Sequence, residues 1–102
     1  MQLTLLQELL NQGKIKWTGH SLEKMGERDI SIAEVKACIM NGEVIEDYPD
    51  DYPFPSCLIF CMVSEGIVIH VCAGTDGETL YIITAYIPNT IKFEADLKTR
   101  RQ

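Results

Sequence analysis

Positive charge is scarce in this chain: its 102 residues carry nine lysines and arginines against 15 aspartates and glutamates, a net charge of −6. That balance argues against nonspecific nucleic-acid binding, which depends on neutralising many phosphates at once, though not against a small basic site built from the helical half and the tail. Long apolar runs are also missing, and none approaches the ~20 residues needed to span a bilayer. The opening MQLTLLQELLNQGK has no basic region before its apolar residues and no small-residue cleavage site, so a secretory leader is not expected. The four cysteines (Cys38, Cys57, Cys61 and Cys72) form no CxxC pair. On a strand, Cys57 and Cys61 would lie ~13 Å apart, unsuited to a zinc knuckle or a mutual disulfide. They read as small buried hydrophobes in a reducing, cytoplasmic setting. The two histidines lack HxxxH or HExxH spacing, no glycine-rich strand-to-helix loop occurs, and no serine sits in an elbow motif. No metal or cofactor is therefore expected.

What is present fits one domain over residues 1–102, with 46% hydrophobic residues and enough surface to bury for a single core. Up to residue 42 the apolar residues recur at helical spacing. Thr4 and Gln7 resemble a capping box before a stripe of Leu5, Leu6, Leu9 and Leu10, with Gly13 as the stop. Thr18 caps a second helix over about 19–28. Ser31 and Glu34 open a third, which Asn41-Gly42 ends. From 43 to 88 the chain reads as strands. Glu43–Tyr48 alternates acidic and apolar residues like an edge strand. Three prolines then interrupt YPDDYPFPS, and Cys57–Ser64, Ile67–Ala73 and Leu80–Ile87 follow, turning at Glu65-Gly66 and around Asp76-Gly77. A short polar tail, 89–102, carries one apolar anchor, Phe93. The expected fold is α+β, three N-terminal helices packed on a four-stranded antiparallel meander.

Both faces of the last three strands are apolar. With two-residue turns, Ile59, Val63, Val68, Cys72, Ile83 and Ile87 point one way, and Leu58, Phe60, Met62, Val71, Leu80 and Ile82 the other. Three short helices cover one face, so a chain segment, a second copy or another protein must cover part of the other. Charge is also uneven, since residues 43–78 hold eight acids and no base.

His20, Lys24, Glu27 and Arg28 share one helical stripe, either an ordinary solvated face or a polar wall beside an extended substrate. His20 and Arg28 would stand ~12 Å apart, too far to grip one phosphate. His70 lies in IVIHVCA, which must be a central strand. A buried imidazole needs a partner for each ring nitrogen, and Thr84 and Tyr86 on the next strand are the natural companions. A two-residue Asp76-Gly77 turn pairs His70 with Ile83 and turns Tyr86 away. A bulge or three-residue turn shifts the register by one and brings His70, Thr84 and Tyr86 to one face.

The segments HSLEKMGERDIS, NGEVIEDYPDDYPFPSCLIF and LYIITAYIPNTIKFEADLKTRR together resemble the bacterial domain-of-unknown-function family 4258. The matching positions are His20, Met25, Arg28, Gly42, the YPDDYP stretch, Ser56, His70, Thr84, Tyr86, Arg100 and Arg101. The chain departs from the family pattern at Asp29, where glycine is frequent, at Phe93, where tryptophan is, and in the apolar approach Ile67-Val68-Ile69. The order of elements is similar to the RelE and MqsR toxins, which cut messenger RNA without a metal, and some relatives are similar to toxins paired with a small zinc-binding antitoxin. The resemblance implies a toxin-like endoribonuclease using the RNA 2′-hydroxyl as nucleophile. His70, Tyr86, His20 and Arg28 would be its catalytic groups, Lys24, Thr84, Arg100 and Arg101 its substrate contacts, and an antitoxin would dock on the second apolar face. The alternative is a non-catalytic interaction module or homodimer.

Overall fold

The computed structural model describes residues 1–102. Helix α1 spans Leu3–Asn11, strand β1 Ile15–Trp17, α2 Gly19–Glu27 and α3 Ile32–Asn41. Strands β2 (Glu43–Tyr48), β3 (Ser56–Ser64), β4 (Ile67–Thr75) and β5 (Leu80–Tyr86) follow. The sheet has five strands in the order β1-β5-β4-β3-β2. The four-stranded meander is present, with β2 at its edge as the alternation implied. The all-antiparallel expectation is overturned by β1, which lies parallel to β5 and pairs Ile15 with Leu80 and Trp17 with Ile82. Three residues are too few to show a period, so β1 is silent in the hydrophobic pattern.

Local signals explain most boundaries. Thr18 accepts the amide of Ser21 (3.0 Å), and Ser31 and Glu34 close a reciprocal capping box, each satisfying amides a first helical turn leaves unpaired. The capping box expected at Thr4 and Gln7 does not form. The helix begins two residues earlier, after Gln2, which offers no side-chain cap. Gln7 instead donates to the carbonyls of Ile39 and Met40 (both 3.2 Å) at the end of α3, tying the two helices together.

The helices cover one sheet face. Leu6, Val35, Cys38 and Ile39 pack there against Ile59, Val71, Ile82 and Ala85. This face differs from the one two-residue turns would give, because bulges move side chains between faces. One at Val63 pairs Met62 with Val68 and Ser64 with Ile67, so Ile59 joins Val71 rather than Val68 and Cys72. Another at Ile83 separates Ala73↔Ile82 from Cys72↔Thr84 and brings His70 opposite Tyr86.

The second face is covered by the chain itself. Residues 89–102 fold back over it, and Phe93, only 1% exposed, packs edge-on against the His70 ring with centroids 4.7 Å apart. Lys98 pairs with Glu43 (2.6 Å) and lies over the Phe60 ring. Arg100 makes two hydrogen bonds to Glu46, of 3.1 and 3.0 Å. The apolar outer face therefore does not require an antitoxin or a second copy to bury it.

Gly42 shows how closely α3 meets the sheet. A Cβ there would stand 2.5 Å from the Cys38 carbonyl oxygen, and 2.7 Å from both Ile59 Cγ2 and the Phe60 carbonyl oxygen. Two of those three atoms are main chain and cannot rotate away. Gly42→Ala is expected to lower unfolding free energy by about 1–3 kcal/mol, the range for overpacking, read from urea denaturation midpoints at unchanged m-value.

Candidate functional site

The bulge at Ile83 sets the geometry. It places Tyr86 beside His70, whose Nδ1 lies 3.1 Å from the Tyr86 hydroxyl, while Nε2 lies 2.7 Å from the Leu97 carbonyl oxygen. A carbonyl can only accept, so Nε2 carries the proton. In the neutral ring Nδ1 is then an acceptor, and the Tyr86 hydroxyl donates to it. The imidazole is 0% exposed, boxed by Phe60, Tyr86 and Phe93. Burial, which disfavours the charged ring, pushes the His70 pKa below its ordinary value; the Leu97 carbonyl opposes this only in part. His70 therefore touches no substrate with its own atoms. Its place is behind Tyr86, as a positioning residue, rather than among groups that meet a ligand.

Leu97 has a φ of 58°, left-handed backbone that costs a residue with a Cβ roughly 1–2 kcal/mol. The turn is held on both sides: the Leu97 amide donates to Glu94 (2.9 Å) and its carbonyl accepts from His70. The tail is thus fixed to the sheet through the buried ring.

Arg28 reaches the same place from α2. Asp29, with φ 57°, donates to Gly26 (3.3 Å), and Ile30 donates to Met25 (2.9 Å). This is the two-bond helix ending that needs a left-handed residue just past the cap. Glycine adopts this conformation freely, whereas aspartate tolerates it at some cost. Immediately before this reversal, Arg28 extends to β5, where Nη1 donates to the Ala85 carbonyl (2.8 Å) and the Thr84 hydroxyl (3.3 Å). The rest of its guanidinium fork is left for the cleft.

Around these groups opens a cleft of about 560 Å³, walled by Arg28, Tyr86, Asn89, Lys92, Phe93 and Arg100. Three cations line one cleft of an acidic protein. Arg100 is partly neutralised by Glu46, whose carboxyl it holds below the ordinary carboxylate range, mainly through their hydrogen bonds. Arg28 and Lys92 have no carboxylate partner within ion-pair distance. The Tyr86 hydroxyl is kept protonated, because burial pushes its pKa up.

Of the residues singled out from sequence, His70, Tyr86, Thr84, Arg28 and Arg100 come together. Exposed His20 is not among the cleft-lining residues. Lys24 pairs with Glu27 (3.3 Å), and Arg101 with Glu94 (2.9 Å); neither lines the cleft. Lys92 was missed, and its only signal was being one of four cations in the tail. No three histidines, cysteines, aspartates or glutamates converge to hold a metal ion.

A family model described as Domain of unknown function (DUF4258) matches residues 17–87, and the chain belongs to that family. Comparison with curated proteins and with solved structures found no match. No helix is long and apolar enough to cross a membrane.

Two outcomes are expected. Unfolded His70 takes up a proton near its ordinary pKa of 6.5, and the folded ring only at lower pH. The unfolded chain therefore binds more protons in that window, and stability is lost as pH falls below about 6.5. Urea midpoints should fall from pH 7 to 5 in the parent and change much less in His70→Gln. Asp29→Gly relieves the left-handed aspartate and should raise stability by about 1 kcal/mol, measured the same way.

Proposed function

We propose that this chain is a toxin-like, metal-independent endoribonuclease in which Tyr86, backed by His70, moves a proton at a phosphodiester held by Arg28 and Lys92. One observation carries the reading: a protonated phenol bonded to a buried imidazole opens into a cationic cleft on an otherwise acidic protein. The chemistry needs a proton acceptor, a proton donor and a cation for the charge that builds on phosphorus.

In the proposed reaction the RNA 2′-oxygen attacks phosphorus. The 2′-proton passes to the Tyr86 oxygen as the phenol's own proton moves onto His70 Nδ1. The new O2′–P bond forms, the P–O5′ bond breaks, and the reverse transfer delivers a proton to O5′. The products are a 2′,3′-cyclic phosphate and a 5′-hydroxyl, so the proton lost by one oxygen arrives on the other. Desolvation makes the His70 cation costly, which favours the return step. Arg28 and Lys92 counter the phosphorane charge, while Arg100, pinned by Glu46, shapes the wall. A partner antitoxin would silence the enzyme by covering this cleft.

A second reading, a non-catalytic interaction module, is favoured by the complete burial of His70 with both nitrogens bonded. In that case the Tyr86–His70–Leu97 chain only fastens the tail.

The two readings separate on Tyr86→Phe. Purified protein, incubated with naked or ribosome-bound messenger in the presence of EDTA, should give fragments ending in 2′,3′-cyclic phosphate. Tyr86→Phe should slow cleavage about 10²–10⁴-fold while the protein stays folded by circular dichroism. Arg28→Ala should lower kcat as well as raise KM, since Arg28 both holds the phosphodiester and counters the phosphorane charge. Absence of cleavage on both substrates, with harmless overexpression, would leave the interaction module.

A further inference from the structure

A second site lies at the other end of β5, around the YPDDYP stretch, and the proposed chemistry does not use it. Tyr52, Pro53, Phe54, Gly74, Tyr81 and Ile83 line a cavity of about 160 Å³. Phe54 and Tyr81 stack with centroids 5.0 Å apart, while Tyr52 is 91% exposed and Ile83 is the residue extruded by the bulge. The wall is rigid. The Thr75 amide donates to the Pro55 carbonyl (3.2 Å), joining the β2–β3 loop to the end of β4. In the β4–β5 loop Asp76 accepts the amides of Glu78 and Thr79 (both 2.9 Å).

The carboxylates of β2 are all paired by cations, and those near this site are not. Glu43 and Glu46 are paired by Lys98 and Arg100, and Asp47 by the Met1 ammonium. Asp50, Asp51 and Asp76 have no cation within ion-pair distance. Two of these three bond to the neighbourhood of the aromatic wall: Asp51 accepts the Tyr52 main-chain amide (3.0 Å) and the buried Ser56 hydroxyl (2.5 Å), and Asp76 accepts the Tyr81 hydroxyl (3.3 Å). Glu78 faces Lys14 and Lys16 across a separate groove, so it adds nothing here. The exposed Tyr52 ring and the half-buried Phe54–Tyr81 stack, beside carboxylates without a cation partner, suit a guanidinium or ammonium group, which gains from ring quadrupole and carboxylate together. The same carboxylates repel a nucleic-acid backbone.

We infer that the Tyr52–Phe54–Tyr81 pocket, with Asp51 and Asp76 at its rim, is a docking point for an arginine-bearing segment of a partner protein. The planar guanidinium stacks on the rings while its fork reaches a carboxylate, a geometry that an ammonium matches less well. The site lies away from the Tyr86 cleft, so its occupation does not depend on the nuclease reading.

The test is a titration of the isotopically labelled full chain, followed residue by residue in nuclear magnetic resonance spectra. The probes are a capped tetra-arginine peptide, its tetra-lysine and tetra-glutamate counterparts, and a short oligouridylate. Tetra-arginine should shift Tyr52, Phe54, Gly74 and Tyr81 first and bind more tightly than tetra-lysine, with tetra-glutamate silent at these residues. Tyr52→Ser, at a side chain too exposed to support the fold, should weaken binding about 2- to 5-fold, and Asp51→Asn with Asp76→Asn should weaken it further. Shifts spread evenly over all acidic residues, or no loss in Tyr52→Ser, would overturn the proposal. So would oligouridylate moving these residues more than tetra-arginine does, which would make the pocket a base-stacking subsite instead. Oligouridylate shifts confined to Arg28, Tyr86 and Lys92 would leave it standing.

Discussion

The hydrogen bond from His70 Nε2 to the Leu97 carbonyl, 2.7 Å long, joins the two parts of the molecule that must meet for the cleft to exist. On one side stands the central strand β4, and on the other a tail with no regular structure beyond a bridge between Phe93 and Arg100. A buried imidazole with an unmatched nitrogen costs more than a typical hydrogen bond contributes. The ring thus enforces the position of the tail rather than merely favouring it. Phe93 then fills the space beside the ring, and Arg100 and Lys98 reach the edge strand. Lys92 and Arg100 become cleft walls only because the tail is held this way.

The same ring fixes the tautomer of its neighbour's bond. With Nε2 committed to a carbonyl, Nδ1 can only accept, and the Tyr86 hydroxyl can only donate to it while the ring is neutral. A phenol oriented inward by its proton presents oxygen lone pairs outward. Tyr86, which lines the cleft together with Arg28 and Lys92, is therefore left with acceptor capacity and an imidazole behind it.

Much of this was legible in the residues, but unevenly. Ser31 with Glu34, Thr18, the edge character of Glu43–Tyr48 and the proline-rich break all announce themselves through local chemistry. The companionship of His70, Thr84 and Tyr86 could be named yet not decided, because it hangs on whether the β4–β5 register is odd or even. The decision is made by Ile83, a residue unremarkable as sequence, whose extrusion leaves its side chain 39% exposed. The cover of the outer face was equally undetermined. Residues 89–102 are polar enough to read as a loose end, and what lays them down is the buried Phe93, the His70–Leu97 bond and ion pairs with Glu43 and Glu46, all distant in sequence. Strand β1 escaped because a parallel pairing between residues 15–17 and 80–82 leaves no short-range trace. His20 had the right chemistry, but it begins α2 while the cleft is built where that helix ends.

Charge placement draws these features into one arrangement. An acidic chain of net −6 could have spread its few cations evenly for solubility. Instead Arg28 and three of the four tail cations border or brace one end of the outer face, while Asp50, Asp51 and Asp76, without cation partners, sit at the other end near Tyr52 and Tyr81. Strand β5 carries both: Tyr81 and Ile83 at the acidic aromatic end, Thr84 and Tyr86 at the cationic one. Coulomb forces between exposed groups fade over roughly 8–10 Å in physiological salt, so two such neighbourhoods on one strand can bind ligands of opposite sign without cancelling. The bulge at Ile83 marks the division, aiming one side chain into the aromatic pocket as it turns the next residues toward His70. A single extra residue in the ladder thus creates both surfaces, which is why neither could be reached from the hairpin's most regular register.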